Sequence, residues 1–165
     1  MKRLILMRHA KSDWSGGTVD HKRPLNTRGR QSAAALGTWL RQTGYLPDRA
    51  LCSTSERTRE TLSRLGIEAT TTYEDRLYHA GPVALRMALA NAGGAETVLM
   101  IAHNPGICAF AHEIVTARPR HPRFEDYPTG ATLVADFNIA SWSDLEGATG
   151  TVRDFVIPRE LLETL

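Results

Sequence analysis

The chain predicts an α/β protein of three αβα layers, with a mostly parallel central sheet and an antiparallel C-terminal part. Three observations carry this. Short apolar runs alternate with segments of helical periodicity along most of the chain. The two clearest runs, Leu4–Met7 and Thr97–Ala102, are almost continuously apolar, as strands buried on both faces are. Near the end, two runs at 131–138 and 151–157 follow one another through a polar, glycine-bearing stretch, the pattern of antiparallel neighbours.

Leu4–Met7 forms the first strand, followed by a polar loop through Pro24. A helix is expected over residues 27–42, with Thr27 as its cap and Leu36, Trp39 and Leu40 as its apolar face; Gly44 and Pro47 close it. Ala50-Leu51-Cys52 gives a second strand, Ser53-Thr54-Ser55 offers caps, and a helix runs to Leu65. Residues 69–73 form a third strand. Pro82 suits the first turn of a helix through Ala92. Thr97–Ala102 is the fourth strand. His103-Asn104-Pro105-Gly106 then turns into a helix to Val115, with Asn104 as cap and Pro105 in the first turn. A short helix from Arg159 ends the chain.

At 165 residues the chain has the length of one domain, expected to span residues 1–165 and to bury roughly 70% of its unfolded surface. Hydrophobic content of 42% and charged content of 23% are those of a soluble globular protein. No apolar stretch reaches the ~20 residues of a membrane span. The apolar stretch before Arg8 is too short for a signal peptide, so the expected location is cytoplasmic. Of 20 basic residues, only Lys2, Lys11 and Lys22 are lysine. The arginines are scattered, which argues against nucleic acid as partner; the densest group, Ala117–Arg123, reads as an exposed, proline-interrupted loop. Cys52 and Cys108 form no CxxC pair and suggest neither disulfide nor metal site, and Cys108 reads as a small core residue.

Chemistry is concentrated at strand ends. Arg8-His9 follows the first strand, and ligands bind outside the carboxyl ends of strands in open α/β sheets. An arginine there can hold anionic oxygens while a neutral imidazole attacks phosphorus. After the second strand, Ser53-x-x-x-Arg57-x-x-x-Thr61 places Arg57 in the first turn of a helix, unfavourable for a cation unless an anion is also present. After the fourth comes His103, just before another helix amino terminus, a ready anion site. Singly, each is a solvated polar strand end. Jointly, above parallel strands, they predict a pocket for a phosphoryl group.

LILMRHAKSDW, DHKRPLNTRGR, the Ser53–Thr61 run, IAHNPGI and YPTGA together resemble the histidine phosphatase superfamily, in particular its SixA-type phosphohistidine phosphatase branch. The likeness runs in order from Leu4 to Ala131. It implies a phosphoglycerate mutase-like fold, no metal or organic cofactor, His9 as the phosphorylated nucleophile, and Arg8, Arg57 and His103 around the phosphate. It further implies a positive charge on His103 and assistance from the Asn104 backbone amide. The partner it implies is a phosphorylated protein, such as a histidine-phosphorylated signalling domain, or else a small phosphorylated metabolite.

His9 must be neutral to attack, so its other ring nitrogen needs an acceptor, for which a backbone carbonyl is the expected partner. Ala10 stands where the broad superfamily usually has glycine. No obvious general acid is present: Glu74, Asp75, His79 and Asp20 are candidates, each equally readable as a solvated loop residue. An imidazole leaving group needs less protonation than an alkoxide, so a weak acid favours N-phosphorylated substrates. Residues 78–97 hold one helix and no large lid, which suits a protein side chain.

Alternatives are a phosphatase of small esters, a mutase and a non-catalytic phosphate-binding module. A cysteine phosphatase is disfavoured, since four residues separate Cys52 from Arg57 where such a loop needs five, and Glu56 would repel the anion. His21, His112 and His121 read as structural or surface residues, although the DHKRP segment can border the pocket.

Overall fold

The computed structural model describes residues 1–163. Six strands form one sheet: β1 (Lys2–Arg8), β2 (Arg49–Ser53), β3 (Thr70–Glu74), β4 (Thr97–Ala102), β5 (Thr132–Phe137) and β6 (Thr151–Val156). Their order is β3-β2-β4-β1-β5-β6. The first four are parallel to one another; β5 pairs antiparallel with β1, and β6 antiparallel with β5, as the two C-terminal runs predict.

Alternation of side chains along each strand feeds two cores. Leu4, Leu6, Val98, Met100, Leu133 and Ala135 face one side, where α3 (Pro82–Ala90) and α4 (Gly106–Ile114) supply Leu85, Leu89, Phe110 and Ile114. Ile5, Met7, Leu99, Ile101 and Val134 face the other. There α1 (Thr27–Thr43) and α2 (Glu56–Leu65) contribute Leu36, Leu40, Leu62 and Leu65. The short α5 (Pro158–Leu162) packs on α1, and the last two residues of the chain lie outside those described. No helix among the described residues is long and apolar enough to cross a membrane.

Two expectations are corrected in this frame. Asn26, not Thr27, caps α1: its side-chain oxygen accepts the Gly29 N–H at 2.8 Å, and Thr27 is already helical. Cys108 is only half-buried, its thiol donating to the Glu125 carbonyl at 3.2 Å.

Topology positions the site. β4 lies between β1 and β2, with Arg8 level with Ala102 and Cys52 level with Ile101, so the residues following all three strands emerge side by side. The YPTGA segment locks the first of these ends. Gly130, at φ 76°, donates its N–H towards the carbonyls of Arg8 (3.1 Å) and His9 (2.9 Å). A Cβ there would meet the Pro158 ring at 2.4 Å, so only glycine fits both the backbone angle and the space.

Candidate active site

The loop after β1 returns to its starting point through a bridge between Ser12 and Leu25. A short 3-10 turn at Asp20–Lys22 thereby comes against α2. One pocket is lined by Arg8, His9, Arg23, Arg57, His103 and Asn104, with Lys11, Ser12, Trp14 and Thr129 completing its wall. The site residues expected from the sequence are therefore brought together.

His9 is buried, and its Nδ1 lies 2.7 Å from the Ala10 carbonyl oxygen. A carbonyl can only accept, so Nδ1 carries the proton and Nε2 is left with its lone pair. Arg57 Nε donates towards that Nε2 at 3.4 Å. Burial drives the His9 pKa well below the ordinary 6.5; the Ala10 hydrogen bond works against this, and His103, Arg8 and Arg57 add to it. The imidazole is therefore neutral.

The Ser53–Thr61 motif has a separate use for each member. Ser53 Oγ lies 2.8 Å from His103 Nε2. Arg57 projects its guanidinium at His9. Thr61 Oγ1 accepts the Ala10 N–H at 3.0 Å while donating to the Arg57 carbonyl at 2.7 Å, which ties α2 to the loop carrying His9. The methyl of Ala10 is fully buried without displacing this contact.

The anion anticipated beside Arg57 is present as a protein side chain. Arg57 Nη2 pairs with Asp20 Oδ2 at 3.1 Å and Nη1 donates to the Asp20 carbonyl at 2.8 Å. Hydrogen bonds from Arg23 and the Tyr78 hydroxyl, then the charge of Arg57, hold the Asp20 carboxyl far below the usual carboxylate range. Asp20 is thus a fixed anion. Glu74 pairs with Arg76 at 2.9 Å and Asp75 accepts from Thr54 at 2.6 Å. His79, at φ 60°, stacks on Tyr78. None of these four candidate acids lines the pocket.

Burial first, then Arg57, His79 and Arg8, push the His103 pKa down to about 3 despite the opposing influence of Asp20, so in the free site the ring is neutral near pH 7; the positive charge expected of it belongs to the site holding a phosphoryl group. Asn104 is corrected as a cap: its side-chain nitrogen donates to the carbonyls of Asp126 (2.9 Å) and Tyr127 (3.0 Å), and Pro105 occupies the cap position of α4. The Tyr127 carbonyl also accepts from Arg8 Nη1 at 3.2 Å.

Sequence reasoning missed Arg23. It is buried, pairs with Asp20 at 2.8 Å, donates to Ser12 and lies 3.6 Å over the Trp14 ring. Its only sequence signal was membership of the DHKRP segment. His21 touches Thr54 and Tyr78 beside the pocket, while His112 and His121 bind the Phe124 carbonyl and Glu160 elsewhere. Cys52 lies in the core, where burial pushes its thiol up to about 12; such a thiol is a poor nucleophile. Among the described residues, no cluster of three or more His, Cys, Asp or Glu is placed to hold a metal ion.

The neutral, buried histidines have a consequence for stability. An unfolded histidine titrates near 6.5, so below that pH the unfolded chain takes up protons that folded His9 and His103 refuse. Their contribution is complete above about pH 6.5 and is lost as pH falls towards about 3 for His103. Denaturant unfolding should give lower stability at pH 5 than at pH 7.5, and His103→Asn should flatten part of that drop. An unchanged midpoint between the two pH values would contradict the assignment.

Fold and pocket define a three-layer αβα protein with an arginine–histidine cluster over the carboxyl ends of adjacent parallel strands. Residues 4–79 match the histidine phosphatase superfamily (branch 1). An uncharacterized protein of Mycobacterium tuberculosis is 35% identical over 160 residues, spanning 93% of this chain and all of the relative. Among solved structures, a Nakamurella multipartita protein assigned as the phosphohistidine phosphatase SixA is 33% identical with a TM-score of 0.86, covering 95% of this chain and 96% of its own. An Agrobacterium tumefaciens protein assigned likewise is 26% identical with a TM-score of 0.76, covering 95% and 98%. The chain belongs to the histidine phosphatase superfamily, and within it to the SixA type, with the phosphoglycerate mutase-like fold.

Proposed function

We propose that this phosphatase works through a phosphohistidine intermediate on His9 and removes phosphate from histidine on a protein partner. His9 itself carries the reading: a buried, neutral imidazole with its proton committed to the Ala10 carbonyl and its free nitrogen facing Arg57. Further support comes from Arg8 Nε, Arg23 Nε and His103 Nδ1, three of the four buried side-chain nitrogens without a partner among the described residues. These three belong to side chains lining this one pocket. Buried polar atoms without partners are rare in folded proteins, and phosphoryl oxygens supply the acceptors that the two arginines need.

In the first step His9 Nε2 attacks phosphorus, forming a P–N bond as the bond to the leaving group breaks. Arg8 and Arg57 hold the phosphoryl oxygens, for which the planar guanidinium is suited. Negative charge beside His103 offsets the repulsion from those arginines and raises its pKa, which favours the protonated ring as a hydrogen-bond donor to the phosphoryl oxygens. Water then attacks phosphorus, breaking the P–N bond to release inorganic phosphate and neutral His9. Charge stabilisation by fixed cations is the main requirement of phosphoryl transfer. Side chains supply it here, so activity should survive chelation of divalent metals.

Leaving-group chemistry favours phosphohistidine. Asp20 is held ionised by its partners and cannot protonate an alkoxide near neutral pH. An imidazole, with a conjugate acid near pKa 6.5, needs little help. The SixA assignment of the Nakamurella relative points the same way. A panel of phosphohistidine protein, p-nitrophenyl phosphate, phosphotyrosine peptide and an alkyl phosphate should give kcat/KM in falling order from the first to the last. Rapid turnover of the alkyl phosphate with none on phosphohistidine would overturn the substrate assignment.

A further inference from the structure

A second groove, of about 220 Å³, opens beside the first and shares Lys11 and Thr129 with it. Its charged lining is entirely basic: Lys11, Arg28, Arg123 and Arg159. Arg123 is matched by Asp126 at 2.9 Å and Arg159 by Glu163 at 3.1 Å. Lys11 and Arg28 have no acidic partner among the described residues. Both are exposed, so the groove carries two unmatched positive charges next to the reactive histidine.

Arg28 stands in the first turn of the 17-residue α1, which has no acidic residue there. A cation at that end opposes the helix dipole. Arg57 occupies the equivalent place in α2 but is matched by Asp20; Arg28 lacks such compensation. The groove walls are nonetheless fixed. The Lys11 carbonyl accepts the Asn26 N–H at 3.0 Å, and α1 approaches so closely that a Cβ on Gly29 would lie 2.0 Å from that carbonyl oxygen.

We propose that this groove docks an acidic segment of the phosphorylated protein, flanking the side chain whose phosphate enters the His9 pocket. The inference rests on the reading that the substrate is a protein. The geometry favours a polypeptide over a second phosphate on a small molecule. In the His9 pocket, the phosphate-facing cations are buried or half-buried and locked by hydrogen bonds. Here the cations are long, exposed side chains drawn from four separate segments, beside the apolar Ile157 and Pro158. Such a surface suits an extended chain carrying several carboxylates.

The test uses two phosphohistidine peptides, one with Asp/Glu flanks and one with neutral flanks, together with p-nitrophenyl phosphate. At low ionic strength the acidic peptide should have about tenfold higher kcat/KM, and this preference should shrink as salt screens exposed charges. Arg28→Glu cancels the two unmatched positive charges of the groove while favouring the start of α1. It should erase the preference and leave p-nitrophenyl phosphate hydrolysis unchanged. Equal use of both peptides by the unmodified protein, or an equal loss on all three substrates in Arg28→Glu, would overturn the proposal. So would an Arg28-dependent preference for small bisphosphates over acidic peptides. If phosphohistidine peptides are inert but phosphotyrosine peptides react, the phosphohistidine reading fails, and the same flank comparison on phosphotyrosine peptides decides the groove.

Discussion

His9→Ala is expected to lower kcat/KM by about 10⁴-fold or more on every substrate, because the attacking atom itself is removed. Cys52 cannot take its place, being sealed in the core with its thiol pushed up to about 12. The variant should still bind inorganic phosphate, since Arg8, Arg57 and His103 are retained, and binding without turnover separates loss of chemistry from loss of fold. Substantial residual turnover in His9→Ala would place the nucleophile elsewhere. Activity lost in Cys52→Ser but kept in His9→Ala would revive the cysteine phosphatase alternative.

Arg57→Ala is expected to cost about 10²- to 10³-fold in kcat/KM, the range for removing one preorganised charge-stabilising group. Arg57 also joins two parts of the site, contacting His9 through Nε and Asp20 through both terminal nitrogens. Arg57→Lys should recover little, because a single ammonium cannot reproduce three directed contacts. Asp20→Asn keeps the backbone carbonyl that accepts from Arg57 and an oxygen acceptor on the side chain, so a loss of about tenfold or less is expected. If Asp20 were instead the proton donor, Asp20→Asn would fall as far as Arg57→Ala on alkyl esters and move the alkaline limb of the pH–rate profile. The pair of variants therefore distinguishes an anchor from an acid.

The fold and the heart of the site were legible for a local reason. Strand ends can be read from apolar runs such as Leu4–Met7 and Thr97–Ala102, and in a parallel sheet the carboxyl ends share one edge. Once β1, β2 and β4 are parallel, Arg8-His9, Arg57 and His103 have to meet. The neutral tautomer of His9 was also foreseeable, because an attacking imidazole needs an acceptor at its other nitrogen.

The unforeseen features depend on contacts distant in sequence. Nothing local to Asn104 reveals that its amide will be claimed by the carbonyls of Asp126 and Tyr127 instead of capping α4. The charge of His103 depends on its burial and on Arg57, 46 positions earlier in the chain. Helix electrostatics called for an anion at the start of α2, read from the sequence as a phosphoryl group; that Asp20 supplies one emerges only from the return of the loop after β1. Arg23 was hidden for the same reason. The pairing of Arg28 and Lys11 in one groove likewise needs the close approach permitted by Gly29.

The central claim is that His9 carries the phosphate between substrate and water. Rapid quenching of the protein with ³²P-labelled phosphohistidine substrate, followed by peptide mapping, tests it most directly. The expected result is a label that is stable in alkali, lost in acid, located on the peptide containing His9 and missing from His9→Ala. A label on another residue, or full turnover in His9→Ala with no trapped phosphoenzyme, would contradict it.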